Sequence, residues 1–111
     1  MGVGSEFASD GAYRLAVGEV LGRLMASVDE IDADLDIELA AGGLKVVFED
    51  TGDTFILSQQ TPTHELWLSA NMTAWHFRRT DGAWLERDTR EPMLALLGRL
   101  FSEKLSVEIV L

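Results

Sequence analysis

Apolar residues early in the chain recur at helical spacing. Tyr13, Val17, Val20, Leu21, Leu24 and Val28 fall on one stripe, with Arg14, Glu19 and Arg23 off it. Ser9 or Asp10 can cap this helix, which the pattern starts near Gly11 and ends at about residues 28–31. The period then changes to two. Asp34-Leu35-Asp36-Ile37-Glu38-Leu39 alternates without a break, so its carboxylates share one face of a strand and its aliphatics the other. Gly42-Gly43 turns the chain, and Leu44, Val46 and Phe48 form the buried row of a second strand. After Thr51-Gly52-Asp53, a third strand points Phe55 and Leu57 inward and Ile56, Ser58 and Gln60 outward, until Pro62 breaks it. Leu66 and Leu68 oppose Glu65 and Trp67 on a fourth strand over residues 64–70. Trp75 and Phe77 oppose His76 and Arg78 on a fifth over residues 73–78. Asp81-Gly82 is a hairpin signal ahead of a short sixth strand carrying Trp84. Pro92 suits the first turn of a second helix, whose stripe is Met93, Leu96, Leu97, Leu100, Phe101 and Leu105. The apolar tail, residues 106–111, is expected to lie against the domain.

Helix, five or six hairpin-linked strands, helix: each element has one apolar side. The simplest burial is an α+β fold, a two-layer α/β sandwich with both helices on one face of a five- to six-stranded antiparallel sheet. The other sheet face is left to water or a partner. With 111 residues the chain makes one domain, expected over residues 9–111. The opening Met1-Gly2-Val3-Gly4-Ser5-Glu6-Phe7 reads like vector sequence, because two common restriction sites encode Gly-Ser and Glu-Phe. Residues 1–8 are therefore expected to stand outside the fold, as vector-derived or disordered chain.

Charge sharpens the picture. Nine Lys and Arg face 19 Asp and Glu, a formal charge of -10, which repels nucleic acid and anionic lipid and attracts cations and basic protein surfaces. The absence of cysteine excludes disulfides, thiolate metal sites and a cysteine nucleophile. No apolar run approaches the ~20 residues of a membrane span, and no transit or secretory signal is visible.

Six carboxylates, Asp29, Glu30, Asp32, Asp34, Asp36 and Glu38, fall within ten residues. An acid-rich stretch is most often a solvated surface. Two costs weigh against that reading here: carboxylates at a helix C-terminus meet the negative end of its dipole, and those along one strand face repel one another. Hard oxygen donors without His or Cys suit iron, manganese, magnesium or calcium rather than zinc or copper. Alternate strand residues lie about 6.8 Å apart, whereas two oxygens on one small cation sit within ~4.4 Å. Several weak, exposed sites are therefore expected, not one closed cage. On the outer sheet face Trp67 is a large exposed aromatic, which is either packed by its neighbours or covered by a partner. His64 alternates with Leu66 and reads as a half-buried structural histidine; no triad is expected.

The stretch Gln59-Gln60-Thr61-Pro62-Thr63-His64-Glu65-Leu66-Trp67-Leu68-Ser69 resembles the central signature of the frataxin/CyaY family. Trp75-His76-Phe77, Asp81-Gly82-Ala83-Trp84, and Asp34-Leu35-Asp36-Ile37-Glu38 before Gly43-Leu44 fall where that family has its other strands. The resemblance covers about residues 13–105. It implies a helix–sheet–helix sandwich that binds ferrous and ferric iron weakly. It further implies docking on a cysteine desulfurase and its iron–sulfur scaffold protein, as iron donor or modulator of cluster assembly. Ferroxidase activity is a secondary implication. The acids at residues 29–38 would then hold iron, and Ser58, Gln60, Glu65, Trp67, His76 and Arg78 would meet the partner. Gln60 and Trp67 match the family's interaction positions, and His76 stands where relatives have His or Arg. Ser58 stands where Asn is usual and Glu65 where Gln is common. The family also carries acids in the last two turns of the first helix, where this chain has Leu24, Met25, Ala26 and Ser27. A monomer is expected, with oligomers forming on iron, and neither nucleic acid nor membrane as partner. Gln-Thr-Pro before Trp-Leu-Ser is closer to mitochondrial members, which points to the mitochondrial matrix for a mature form lacking its presequence; the alternative is bacterial cytoplasm. The competing function is an acidic interaction module, such as a secretion chaperone, without a metal.

Overall fold

A computed structural model describes residues 5–40 and 42–111. Helix α1 spans Asp10–Asp29 and starts where the Ser9 hydroxyl accepts the Ala12 N–H at 3.1 Å. Its stripe of Tyr13, Ala16, Val17, Leu21, Leu24 and Val28 is buried, as the 3.6-residue period requires. The strands are β1 (Leu35–Ala40), β2 (Gly43–Phe48), β3 (Asp53–Gln60), β4 (Glu65–Ala70), β5 (Thr73–Thr80) and β6 (Ala83–Glu86). They form one antiparallel sheet in chain order. Helix α2 covers Met93–Leu105. The inward rows, Leu44, Val46 and Phe48, Phe55 and Leu57, Leu66 and Leu68, and Phe77, share one core with the buried residues of both helices. Phe101 of α2 packs 5.4 Å from both Phe48 and Phe55, ring centre to ring centre. The expected α+β sandwich is the observed one.

Pro62 does end β3, but in a 3-10 turn over Thr61–Thr63. Tyr13 closes this connection from the helix layer. Its buried hydroxyl donates to the Glu65 carbonyl at 2.6 Å and accepts the Gln60 N–H at 2.9 Å, satisfying both ends of the β3–β4 link. Burial holds the phenol above its ordinary pKa, so it keeps its proton. His64, at φ 54°, stacks on Tyr13 at 4.8 Å, and its Nε2 lies 2.7 Å from Asp10. It is the structural histidine the pattern suggested.

Three expectations need correction. Ser5, Glu6 and Phe7 do not stand apart: Ser5 bonds the His64 ring, and the Phe7 ring packs 5.7 Å from Tyr13 and 6.0 Å from Trp84. A single aromatic with a ready apolar edge to cover is enough to hold the segment. Leu39, on the inward side of β1, is 45% exposed, because β1 is an edge strand whose far half is open on both faces. Pro92 caps α2 from outside rather than entering its first turn. Its ψ of 138° is extended, and it continues a bridge to Leu85.

The tail folds back as expected. The Ser102 hydroxyl donates to Gly98 O at 2.7 Å and accepts Ile109 N–H at 2.8 Å. A Cβ at Gly98 would stand 3.1 Å from the Ile109 carbonyl, so glycine permits the approach.

The β4–β5 hairpin turns on Asn71 and Met72, both left-handed at φ 51° and 62°. Asp81-Gly82 turns β5–β6 in the same way with a glycine second. The Met72 side chain is fully exposed and contributes no burial. Met72→Gly is therefore expected to stabilise the fold by about 1 kcal/mol, read as a higher denaturant midpoint at unchanged slope.

Candidate functional site

Register places the six expected partner residues in two adjacent cross-strand rows on the outer sheet face. Ser58 faces Trp67, and Trp67 faces His76; one step along, Gln60 faces Glu65, and Glu65 faces Arg78. Trp67 is 37% exposed and its ring lies 4.5 Å from that of His76. Ile56, 42% exposed, adds apolar surface beside it. Ser58, Gln60, His76 and Arg78 are half-buried.

Glu65 differs from the expectation. It is on the outer side but only 1% exposed, so it is not free to touch a partner. One carboxylate oxygen accepts from Trp67 Nε1 at 2.9 Å and Thr63 Oγ1 at 3.2 Å; the other accepts from Arg78 Nε at 2.8 Å. The indole and the guanidinium of its neighbours close over it. Burial alone would raise its pKa, but the hydrogen bonds from Trp67, Arg78 and Thr63 outweigh that and hold the carboxyl below its usual value. Glu65 thus sets the orientation of the two side chains that do reach the surface. Glu86, also buried, behaves alike. Burial pushes its pKa up, and the backbone N–H groups of Thr89, Asp88 and His76 bring it below normal.

All six acids of the ridge are exposed. Asp29 ends α1, Glu30 caps it, and no basic residue lies in the last turn to offset the dipole. Glu30, Asp32 and Asp34 line an open groove of about 1010 Å³, while Asp36 and Glu38 lie along β1 opposite Val47 and Lys45. Asp29, Asp36 and Glu38 are outside that groove's lining. Asp50 and Glu108 also line it, as does Lys104, whose ammonium pairs with Asp53 at 2.8 Å. Neither acid was legible in the sequence, because one follows β2 and the other sits in the tail, and only the folded tail brings them together. Among the described residues no three His, Asp or Glu side chains form a group that could hold a metal ion. The six carboxylates lie apart along a helix end, a loop and a strand edge.

A two-layer sandwich with an acidic helix end and an outer face centred on one tryptophan defines the class of protein. The model of the frataxin-like domain matches residues 6–107, and this chain belongs to the frataxin-like family. It is 37% identical over 95 residues to the iron-sulfur cluster assembly protein CyaY of Ralstonia nicotianae, covering 82% of this chain and 83% of that protein. The CyaY of Pseudomonas paraeruginosa is 42% identical over 78 residues, covering 68% and 71%. Among solved structures, frataxin from Psychromonas ingrahamii superposes with a TM-score of 0.85 at 19% identity, covering 92% of this chain and 96% of that one. Trimeric yeast frataxin (Saccharomyces cerevisiae), complexed with ferrous iron, gives 0.71 at 21%, covering 82% and 86%. The sequence relatives named here are bacterial, so they lend the mitochondrial expectation no support.

Glu65 and Glu86 have folded-state pKa values below those of the unfolded chain. Their stabilisation is thus present above the unfolded carboxylate pKa and is lost as pH falls through the folded values. The melting temperature should drop over that acid range. Glu65→Gln should flatten the drop while costing about 1.5–3 kcal/mol at neutral pH; thermal melts from pH 7 to pH 3 check both.

Proposed function

We propose that this chain acts in iron–sulfur cluster assembly by docking its Trp67-centred face on a cysteine desulfurase–scaffold complex, while its acidic end holds iron loosely. The observation that carries this reading is the pair of cross-strand rows, in which a partly exposed indole is fixed by a buried carboxylate. An aromatic already held in one rotamer loses little conformational freedom on binding, which favours its use as an interface hot spot. Arg78, held by the same carboxylate, offers its remaining N–H donors to acceptors on a partner. Ser58, Gln60 and His76 supply polar contacts around the indole.

The acidic end supports the second half of the reading. Exposed carboxylates spread along a helix end, a loop and a strand edge can attract Fe²⁺ or Fe³⁺ without enclosing it, so iron is cargo that leaves readily. The relatives' name as cluster-assembly proteins and the ferrous complex of yeast frataxin point the same way. With bacterial relatives, the site of action proposed is the bacterial cytoplasm.

Sulfide production by the desulfurase and scaffold of a CyaY-bearing bacterium is expected to change on adding the protein. Trp67→Ala should raise the concentration needed by about ten-fold or more. Asp32→Asn with Asp34→Asn should weaken iron binding measured by calorimetry. A desulfurase rate unaltered at saturating protein would contradict the docking, and unchanged iron affinity in the double variant would contradict the placing of the metal.

A further inference from the structure

Against the negative charge of the chain, one group of cations is gathered in one place. Arg78, Arg79, Arg87 and Arg90 are four of its nine Lys and Arg, and all four line one open cavity of about 380 Å³. Two come from β5 and two from the loop between β6 and α2.

These guanidiniums are poorly used within the fold. Each carries five N–H donors, yet among the described residues the four make one side-chain hydrogen bond, from Arg78 Nε to Glu65. Arg79 Nε stands 3.9 Å from Glu6, and Arg87 stands 3.9 Å from Glu65 and from Asp88, beyond hydrogen-bond reach. Arg79 Nε is buried without an acceptor, although the Phe7 ring lies 5.8 Å from the guanidinium carbon. A buried, unsatisfied charged donor is costly. Arg90 has no ion pair or side-chain hydrogen bond among the described residues.

Glu6, Asp81 and Glu86 also line the cavity and offset much of its positive charge, but among the described residues none of them accepts a hydrogen bond from the four guanidiniums. Both oxygens of Glu86 are taken by backbone N–H groups of His76, Asp88 and Thr89. Asp81 lies at the exposed hairpin tip, and Glu6 faces Arg79 alone. The loop bearing Arg87 and Arg90 is held closed by Arg87 N–H on His76 O at 2.8 Å, Arg90 N–H on Glu86 O at 2.9 Å, and Glu86 N–H on Glu91 O at 2.8 Å. Its two guanidiniums are thereby presented from a fixed backbone.

We propose that this cavity binds a small multivalent phosphate, of the size of a di- or triphosphate. Forked guanidiniums pair with phosphate oxygens two at a time, and a bound anion would supply the acceptors that Arg79, Arg87 and Arg90 lack. Arg78 also borders the docking face, but the site needs neither iron nor a protein partner, and its test rests on Arg87 and Arg90, which the docking proposal does not use.

Titrating the full chain with pyrophosphate, at ionic strength held constant with chloride, should shift the ¹⁵N-resolved arginine Nε–H resonances of this cluster saturably. Arg90→Gln should weaken that binding by about ten-fold, and Arg87→Gln with Arg90→Gln further. Because the Arg90 side chain makes no hydrogen bond or ion pair among the described residues, the single variant should melt like the parent. Non-saturating shifts, equal affinity in Arg90→Gln, or a tricarboxylate binding as tightly as pyrophosphate would each overturn the assignment.

Discussion

One buried glutamate joins the two faces of the sheet. The Glu65 backbone carbonyl accepts the Tyr13 hydroxyl from the helix layer, while its side chain fixes Trp67 and Arg78 on the opposite side. A charge with 1% of its surface exposed is tolerable only with several donors around it, and here indole, guanidinium and hydroxyl all point at it. Removing it would leave those donors without an acceptor. The outer face is therefore held in place from beneath. Its geometry follows from the same link that anchors α1 to the β3–β4 connection.

The charge distribution follows a similar economy of position. Carboxylates collect where α1 ends and β1 begins, uncompensated by any basic residue in the last helical turn. The groove beside them is completed only when the C-terminal tail folds back over Gly98. Cations, by contrast, concentrate around the β5–β6 edge, next to the Trp67 face. The molecule thus presents an acidic end and an arginine-rich sheet edge, which gives a partner surface two distinct features to read.

Much of the fold was legible because its elements keep strict periods. The α1 stripe, the inward rows of β2 to β4 and the Asp81-Gly82 hairpin all follow from spacing alone. Alternation also put Ser58, Gln60, Trp67, His76 and Arg78 on one face. What alternation cannot give is depth: it assigns Glu65 to the outer side but not beneath two longer neighbours. Edge effects escaped for a related reason, since Leu39 continues the inward pattern past the point where a helix covers it. Phe7 was misjudged because the residues around it look like foreign sequence, whereas its packing depends on Tyr13, His64 and Trp84 meeting in three dimensions. The groove acids Asp50 and Glu108 and the arginine cluster come together through tertiary contacts, which leave no periodic trace.

The most direct measurement is of the Trp67 indole N–H by NMR in the free protein. A donor held by a buried, ionised carboxylate should show slow solvent exchange, and a resonance steady with falling pH until below the ordinary carboxylate range. Exchange at the rate of a free indole, or a shift that titrates at a normal glutamate pKa, would contradict the claim that Glu65 organises this face.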